Sequence, residues 1–124
     1  MSDVVAFYNS NGRAVAYIRD EKWIYLYDGT PVGWLADGEN IYGFDGRYLG
    51  WFVDGWVRDR DGYAVFFTEG STGGPAKPAR QARPARGARS ARPARSAREA
   101  RPARPARSPS WSKMSDESFF GSGR

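Results

Sequence analysis

The sequence predicts an all-β domain of four hairpins, and two observations carry that expectation. The first is a phrase of turn plus aromatic strand that occurs four times. It runs Asn11-Gly12-Arg13-Ala14-Val15-Ala16-Tyr17-Ile18, then Asp28-Gly29-Thr30-Pro31-Val32-Gly33-Trp34-Leu35. It returns as Asp45-Gly46-Arg47-Tyr48-Leu49-Gly50-Trp51-Phe52 and as Asp61-Gly62-Tyr63-Ala64-Val65-Phe66-Phe67-Thr68. Glycines at 12, 29, 46 and 62 give spacings of 17, 17 and 16 residues. A fixed period means one small supersecondary unit used repeatedly. The second observation is that each Asn-Gly or Asp-Gly lies between apolar stretches, a strong hairpin signal read here as a type I′ turn.

Each element follows from its place in the repeat. Five residues before each turn glycine stand Phe7, Ile24, Ile41 and Val57; four before stand Tyr8, Tyr25, Tyr42 and Arg58. Three after stand Val15, Val32, Leu49 and Val65, and five after stand Tyr17, Trp34, Trp51 and Phe67. Strand alternation predicts that these last two sets share a face. Between them lie Ala16, Gly33, Gly50 and Phe66, where small residues admit a close backbone or ring. Asp20-Glu21-Lys22, Asp37-Gly38-Glu39-Asn40 and Asp54-Gly55 read as further turns. Residues 5–68 thus read as a meander of eight short strands around a pseudo-four-fold axis, an arrangement that hides most edges.

Charge divides the chain. Residues 1–69 hold six Lys/Arg against eleven Asp/Glu; residues 70–110 hold Lys77 and ten arginines against Glu99 alone. The expected organisation is a four-hairpin domain over 1–69, a disordered Pro/Ala/Arg-rich linker over 70–110 and a Trp/Phe peptide over 111–124. In the linker, arginine falls on every third position: Arg80, Arg83, Arg86, Arg89, Arg92, Arg95, Arg98, Arg101, Arg104 and Arg107. With no bulky apolar residue, the run is expected to be disordered or polyproline II, since it buries too little to offset ordering entropy. Polyproline II has three residues per turn, so all arginines would leave one edge of the rod. In the C-terminal peptide, Trp111, Met114, Phe119 and Phe120 form an apolar set expected to dock on the β-domain. Ser115 followed by Asp116 and Glu117 suits the start of a short helix, and Gly121 its end.

Composition narrows the chemistry. The chain has no histidine and no cysteine. That removes disulfides, thiol chemistry, imidazole acid–base catalysis and Cys/His metal sites. Asp59-Arg60-Asp61-Gly62 resembles a fragment of a calcium loop but lacks the other oxygen ligands. The remaining carboxylates fall in expected turns, so no enzyme, cofactor or metal is expected. Met1-Ser2-Asp3-Val4 does not begin a signal peptide, and a cytoplasmic protein is the expectation.

At these residues a family resemblance emerges. Ile24-Tyr25-Leu26-Tyr27-Asp28-Gly29, Ile41-Tyr42-Gly43-Phe44-Asp45-Gly46 and the peptide from Trp111 to Gly121 resemble the four-fold β-flower proteins of bacteria. The resemblance leaves out the arginine run. It implies four β-hairpins and no particular activity. The fourth repeat departs from the pattern, with Arg58-Asp59-Arg60 in place of Tyr-x-Tyr/Phe and Phe66 in place of a small residue.

The functional expectation is a non-catalytic binding or adaptor protein. Tyr8, Tyr25, Tyr42 and Arg58 form a candidate ring for a protein or other ligand. The ten arginines form a basic arm for polyanions such as nucleic acid. The alternatives are a structural, oligomerising β-unit with an inert spacer, or a carbohydrate-binding module. The sequence also allows the basic tail to fold over its own acidic body.

Overall fold

The computed structural model describes residues 4–121. Met1–Asp3 and residues 122–124, the ends of the first and last expected segments, lie outside the described residues. Eight antiparallel strands close into a barrel in chain order: β1 (Val4–Tyr8), β2 (Ala14–Arg19), β3 (Trp23–Leu26), β4 (Pro31–Ala36), β5 (Asn40–Tyr42), β6 (Tyr48–Val53), β7 (Trp56–Asp59) and β8 (Ala64–Phe67). One short helix, α1 (Asp116–Phe120), follows.

The primed turns lie between the repeats, not at the repeated Asn-Gly and Asp-Gly phrases where the sequence suggested them. Positive φ at both central residues occurs at Asp20-Glu21, Asp37-Gly38 and Asp54-Gly55, the turns between repeats. These are the primed turns. In the repeated Asn-Gly and Asp-Gly phrases only the glycine has positive φ. The N–H of Gly12 donates to the Asn9 carbonyl at 2.9 Å, and that of Asn9 to the Arg13 carbonyl at 2.9 Å. The same pair of bonds recurs around Gly29, Gly46 and Gly62. This is the three-residue hairpin loop, a tight turn followed by one left-handed glycine. Side chains brace it: Oδ1 of Asn9 accepts from the N–H groups of Asn11 and Arg13, and Oδ1 of Asp59 from those of Asp61 and Tyr63.

A bulge in every hairpin also revises the predicted faces. Phe7 pairs with Ala16 and Tyr8 with Ala14, which leaves Val15 unpaired. Val32, Leu49 and Val65 are passed over in the same way. A bulge puts two neighbouring residues opposite one. Val32, Leu49 and Val65 therefore join Phe7, Ile24, Ile41 and Val57 in the core instead of siding with Tyr17, Trp34, Trp51 and Phe67. The small residues behave as expected. A Cβ on Gly50 would overlap the backbone of Arg58, and one on Gly33 would lie 2.9 Å from the Tyr42 carbonyl oxygen.

The result is an inner core of aliphatic and phenylalanine side chains inside an outer wall rich in tyrosine and tryptophan. Around the barrel, the pairs Tyr17–Tyr25, Trp34–Tyr42, Trp51–Arg58 and Phe67–Tyr8 follow one another across adjacent strands. Burying rings at this density helps a small domain that has little interior.

Phe119 and Phe120 of α1 pack in the core against Phe66, with centroids 5.7 Å away in each case. The large residue that distinguishes repeat four is thus the one that receives the helix. Ser115 caps α1 by accepting the Ser118 N–H, and Gly121 ends it at φ 75°. Trp111 rests on Trp56 and Phe67 and bridges to Ala64. Met114, expected in the same apolar set, is exposed. It lies on the short stretch between the Trp111 bridge and the helix cap, where its side chain is left in solvent.

Candidate functional site: an arginine strap on an aromatic wall

The arginine run, for which the sequence suggested disorder, polyproline II or a fold over the acidic body, follows a defined course on the barrel. It forms neither helix nor strand, and it crosses the barrel at the four repeated turns. The expectation of disorder weighed only apolar burial. Guanidinium stacking, ion pairs and backbone hydrogen bonds supply the contacts here.

A nine-residue period governs these contacts. The N–H groups of Gln81, Ser90, Glu99 and Ser108 donate to the carbonyls of Gly12, Gly29, Gly46 and Gly62 at 2.8, 3.0, 2.9 and 3.0 Å. The carbonyl oxygens of Ala79, Ala88, Ala97 and Ala106 sit where a Cβ on those same glycines would be. Only a glycine accepts such an approach. Barrel repeats of 17, 17 and 16 residues are matched by strap repeats of nine, nine and nine.

The sequence carries this longer period beneath the tripeptide one. Residues 78–86, 87–95 and 96–104 read Pro-Ala-Arg-Gln-Ala-Arg-Pro-Ala-Arg, Gly-Ala-Arg-Ser-Ala-Arg-Pro-Ala-Arg and Ser-Ala-Arg-Glu-Ala-Arg-Pro-Ala-Arg. Proline returns at 84, 93 and 102. Gln81, Ser90, Glu99 and Ser108, which must donate an N–H, are never proline. At the block starts, Gly87 and Ser96 donate to the carbonyls of Tyr27 and Phe44. The equivalent Pro78 and Pro105 cannot donate.

Seven of the strap arginines turn onto rings of the aromatic wall. Arg80 lies 5.8 Å from the Tyr8 ring, Arg89 5.8 Å from Tyr25 and Arg98 5.4 Å from Tyr42. Arg86 covers Tyr17, Arg92 stands 3.9 Å over Trp23, Arg95 4.7 Å over Trp34 and Arg104 5.2 Å over Trp51. Each such contact contributes about 0.5–1 kcal/mol at an exposed site. Carboxylates of the acidic barrel add ion pairs. Arg80 meets Glu69 at 2.7 Å, Arg104 meets Glu39 at 2.6 Å and Arg107 meets Asp54 at 2.5 Å. Arg98 and Arg101 share Asp37 at 3.9 and 3.7 Å. Arg83 acts on Tyr27 through its charge.

Tyr8, Tyr25, Tyr42 and Arg58 occupy equivalent places, as the repeat implied. They lie on alternate strands round the outer wall, do not converge on one pocket, and are all buried. Arg58 takes the role of the missing fourth tyrosine differently. Its Nη1 donates to the carbonyls of Gly62 at 2.7 Å and Ser108 at 2.8 Å, clasping turn and strap together. Burial pushes its pKa down, with Arg107 nearby acting in the same direction.

Two residues of this site are not singled out by the sequence reading. Trp23 is one, the ring under Arg92. Asn40 is another: its Oδ1 accepts from Tyr48 Oη at 3.2 Å and Arg104 Nη2 at 2.7 Å. Asp59 is buried and accepts the Ser112 hydroxyl at 2.6 Å on the oxygen its turn does not use. Its carboxylate is committed to the turn and the C-terminal peptide, which weakens the calcium-loop reading. Among the described residues, no group of three or more acidic side chains gathers as a metal site. Among them also, no helix is long and apolar enough to cross a membrane.

A family model described as 4-fold beta flower protein matches residues 5–120. The chain belongs to that family. The match spans barrel, strap and C-terminal helix together, whereas the resemblance read from the sequence left the strap out. Comparisons with curated proteins and with solved structures find no match. The closed eight-strand barrel of this beta flower accords with the family's description.

Proposed function

We propose that this beta flower is a non-catalytic binding module that attaches to polyanions such as nucleic acid through its arginine strap. The observation that carries the reading is the state of the strap's guanidiniums. They are held in place by rings and carboxylates, yet Arg98, Arg101 and Arg107 keep about half of their side-chain surface open. Strap arginines pair with the carboxylates of Glu69, Asp37, Glu39 and Asp54, and the chain still carries a formal net charge of +5. The strap therefore retains excess positive charge along a fixed path round the barrel. Binding of a phosphate chain would release counterions, at no great ordering cost to the protein. Tyr8, Tyr25 and Tyr42 are buried, so these three rings offer no open face to a sugar.

The test is binding of labelled DNA and RNA across a salt series. The wild-type chain is compared with a variant carrying Arg83→Gln and Arg101→Gln, neither of which covers a ring in the contacts described above. Affinity that falls steeply with salt, with a shallower slope for the variant, supports the reading, since the slope scales at about 0.9 per neutralised phosphate. An unchanged slope, or no binding near physiological salt, refutes it.

A further inference from the structure

We propose that the outer wall of the barrel is a four-subsite receptor for arginine-rich extended peptides, and that residues 78–108 are its tethered occupant. The partner class is a peptide of the pattern x-Ala-Arg-x-Ala-Arg-Pro-Ala-Arg. A second copy of this chain supplies one by its own strap. The inference concerns the inward side of the strap and stands apart from the polyanion reading.

Each subsite has three parts. A turn-glycine carbonyl accepts one peptide N–H, at Gly12, Gly29, Gly46 and Gly62. The bare Cα of that glycine admits the carbonyl two residues earlier in the peptide. At three subsites a tyrosine faces the intervening arginine, and at the fourth Arg58 holds the peptide carbonyl of Ser108 instead. Main-chain bonds supply attachment and side-chain sites supply selectivity, the general logic of extended-peptide recognition. The contacting carbonyls belong to alanines and the side chains facing the tyrosines to arginines, while the donor position holds Gln81, Ser90, Glu99 or Ser108.

The strap's own features make it exchangeable. It buries no large apolar side chain, and it joins no strand ladder. Its hold is the sum of weak contacts repeated four times, so its strength in place is largely the effective concentration its tether provides.

The experiment titrates two labelled peptides against full-length chains. One has the sequence of residues 78–104. The other has the same residues with one alanine inserted after Arg86 and one after Arg95, which keeps the charge and breaks the nine-residue spacing. The receptor is the full chain with Arg80→Gln, Arg89→Gln and Arg98→Gln, which loosens its own strap and leaves the barrel sequence intact. The matched peptide is expected to bind this variant about tenfold more tightly than the spacing-broken one, and about tenfold more tightly than it binds the wild-type chain. Equal binding of the two peptides would reduce the wall to a generic acidic surface and overturn the proposal. So would absence of binding to a variant that keeps the wild-type circular dichroism. Should that variant lose its fold, the single change Arg98→Gln opens one subsite. The same comparison is then made with residues 96–104 against a peptide of the same composition in scrambled order, and equal binding again overturns it.

Discussion

The carboxylate of Glu99, the only acidic side chain of the strap, accepts the backbone N–H of Tyr48 at 2.6 Å. The same oxygen lies 3.5 Å from Nη1 of Arg60. Three strap blocks are nearly interchangeable in sequence, and a slide by nine residues would preserve most contacts. Glu99 breaks that degeneracy. Its basic neighbour comes from repeat four, and the equivalent positions of the other repeats hold Ser10, Tyr27 and Phe44. Glu99 thus pins the strap's register.

Glu99→Ala therefore removes the acceptor of a part-buried N–H and is expected to cost about 1–3 kcal/mol. Arg60→Ala removes only a half-exposed ion pair, worth about 1 kcal/mol or less. Urea unfolding midpoints of the two variants check the ranking. Equal midpoints would mean that the Tyr48 bond contributes nothing.

Gly50 is expected to be the least replaceable of the strand glycines. A Cβ there meets the carbonyl oxygen and carbon of Arg58 and the Cα of Asp59, all backbone of the neighbouring strand. Nothing flexible can yield, so Gly50→Ala forces β6 and β7 apart and costs about 1–3 kcal/mol or more. Gly38 offers the contrast. Its Cβ would enter open space, and only its φ of 76° opposes a side chain. Gly38→Ala should cost about 1–2 kcal/mol. Near-ultraviolet circular dichroism, which reports ring packing, should be lost first in Gly50→Ala. Its survival there with loss in Gly38→Ala would reverse the argument.

The C-terminal helix should behave as part of the core. Phe119→Ala and Phe120→Ala are each expected to cost about 3–5 kcal/mol, the range for emptying a buried phenylalanine site. Met114→Ala, at an exposed position, should stay within about 0.5 kcal/mol. Thermal unfolding of the three variants tests this. A Phe120→Ala melting point equal to that of Met114→Ala would mean that the helix rests on the barrel without sharing its core.

Much of this architecture was legible in the sequence because hairpin chemistry is local. The recurring glycine located four equivalent turns, and alternation located the strand residues. Alternation failed only where it assumes an unbroken ladder. The bulges that send Val32, Leu49 and Val65 inward carry no special residue, since a valine or leucine fits either face. The turn types were misassigned because Asp-Gly serves both a two-residue loop and a three-residue loop. Only the hydrogen bonds of residues such as Asn9 and Asp59 decide between them. The strap was hidden for another reason. Its tripeptide rhythm masks the nine-residue one, which lives in Gln81, Ser90, Glu99 and Ser108 and in Pro84, Pro93 and Pro102. Its attachment also uses charge and rings, which a tally of apolar residues does not register.

Alkaline pH should loosen the assembly from its buried tyrosines. Burial is the main cause that holds the phenols of Tyr27 and Tyr48 above the ordinary value of 10.0, against the opposing pull of Arg83 and Arg104. The folded barrel thus keeps protons that the unfolded chain releases. The stability this contributes is fully present below pH 10 and is lost as pH rises through the elevated folded values. No such loss is expected from these groups on the acid side. Tyr27→Phe and Tyr48→Phe should each flatten the decline of the urea midpoint between about pH 10 and pH 11, because a phenylalanine has no proton to lose. Tyr48→Phe should also cost about 0.5–1.5 kcal/mol near neutrality, since its hydroxyl donates to Asn40. A wild-type midpoint that stays level over that interval, or a decline that both variants share with it, would place the alkaline response elsewhere.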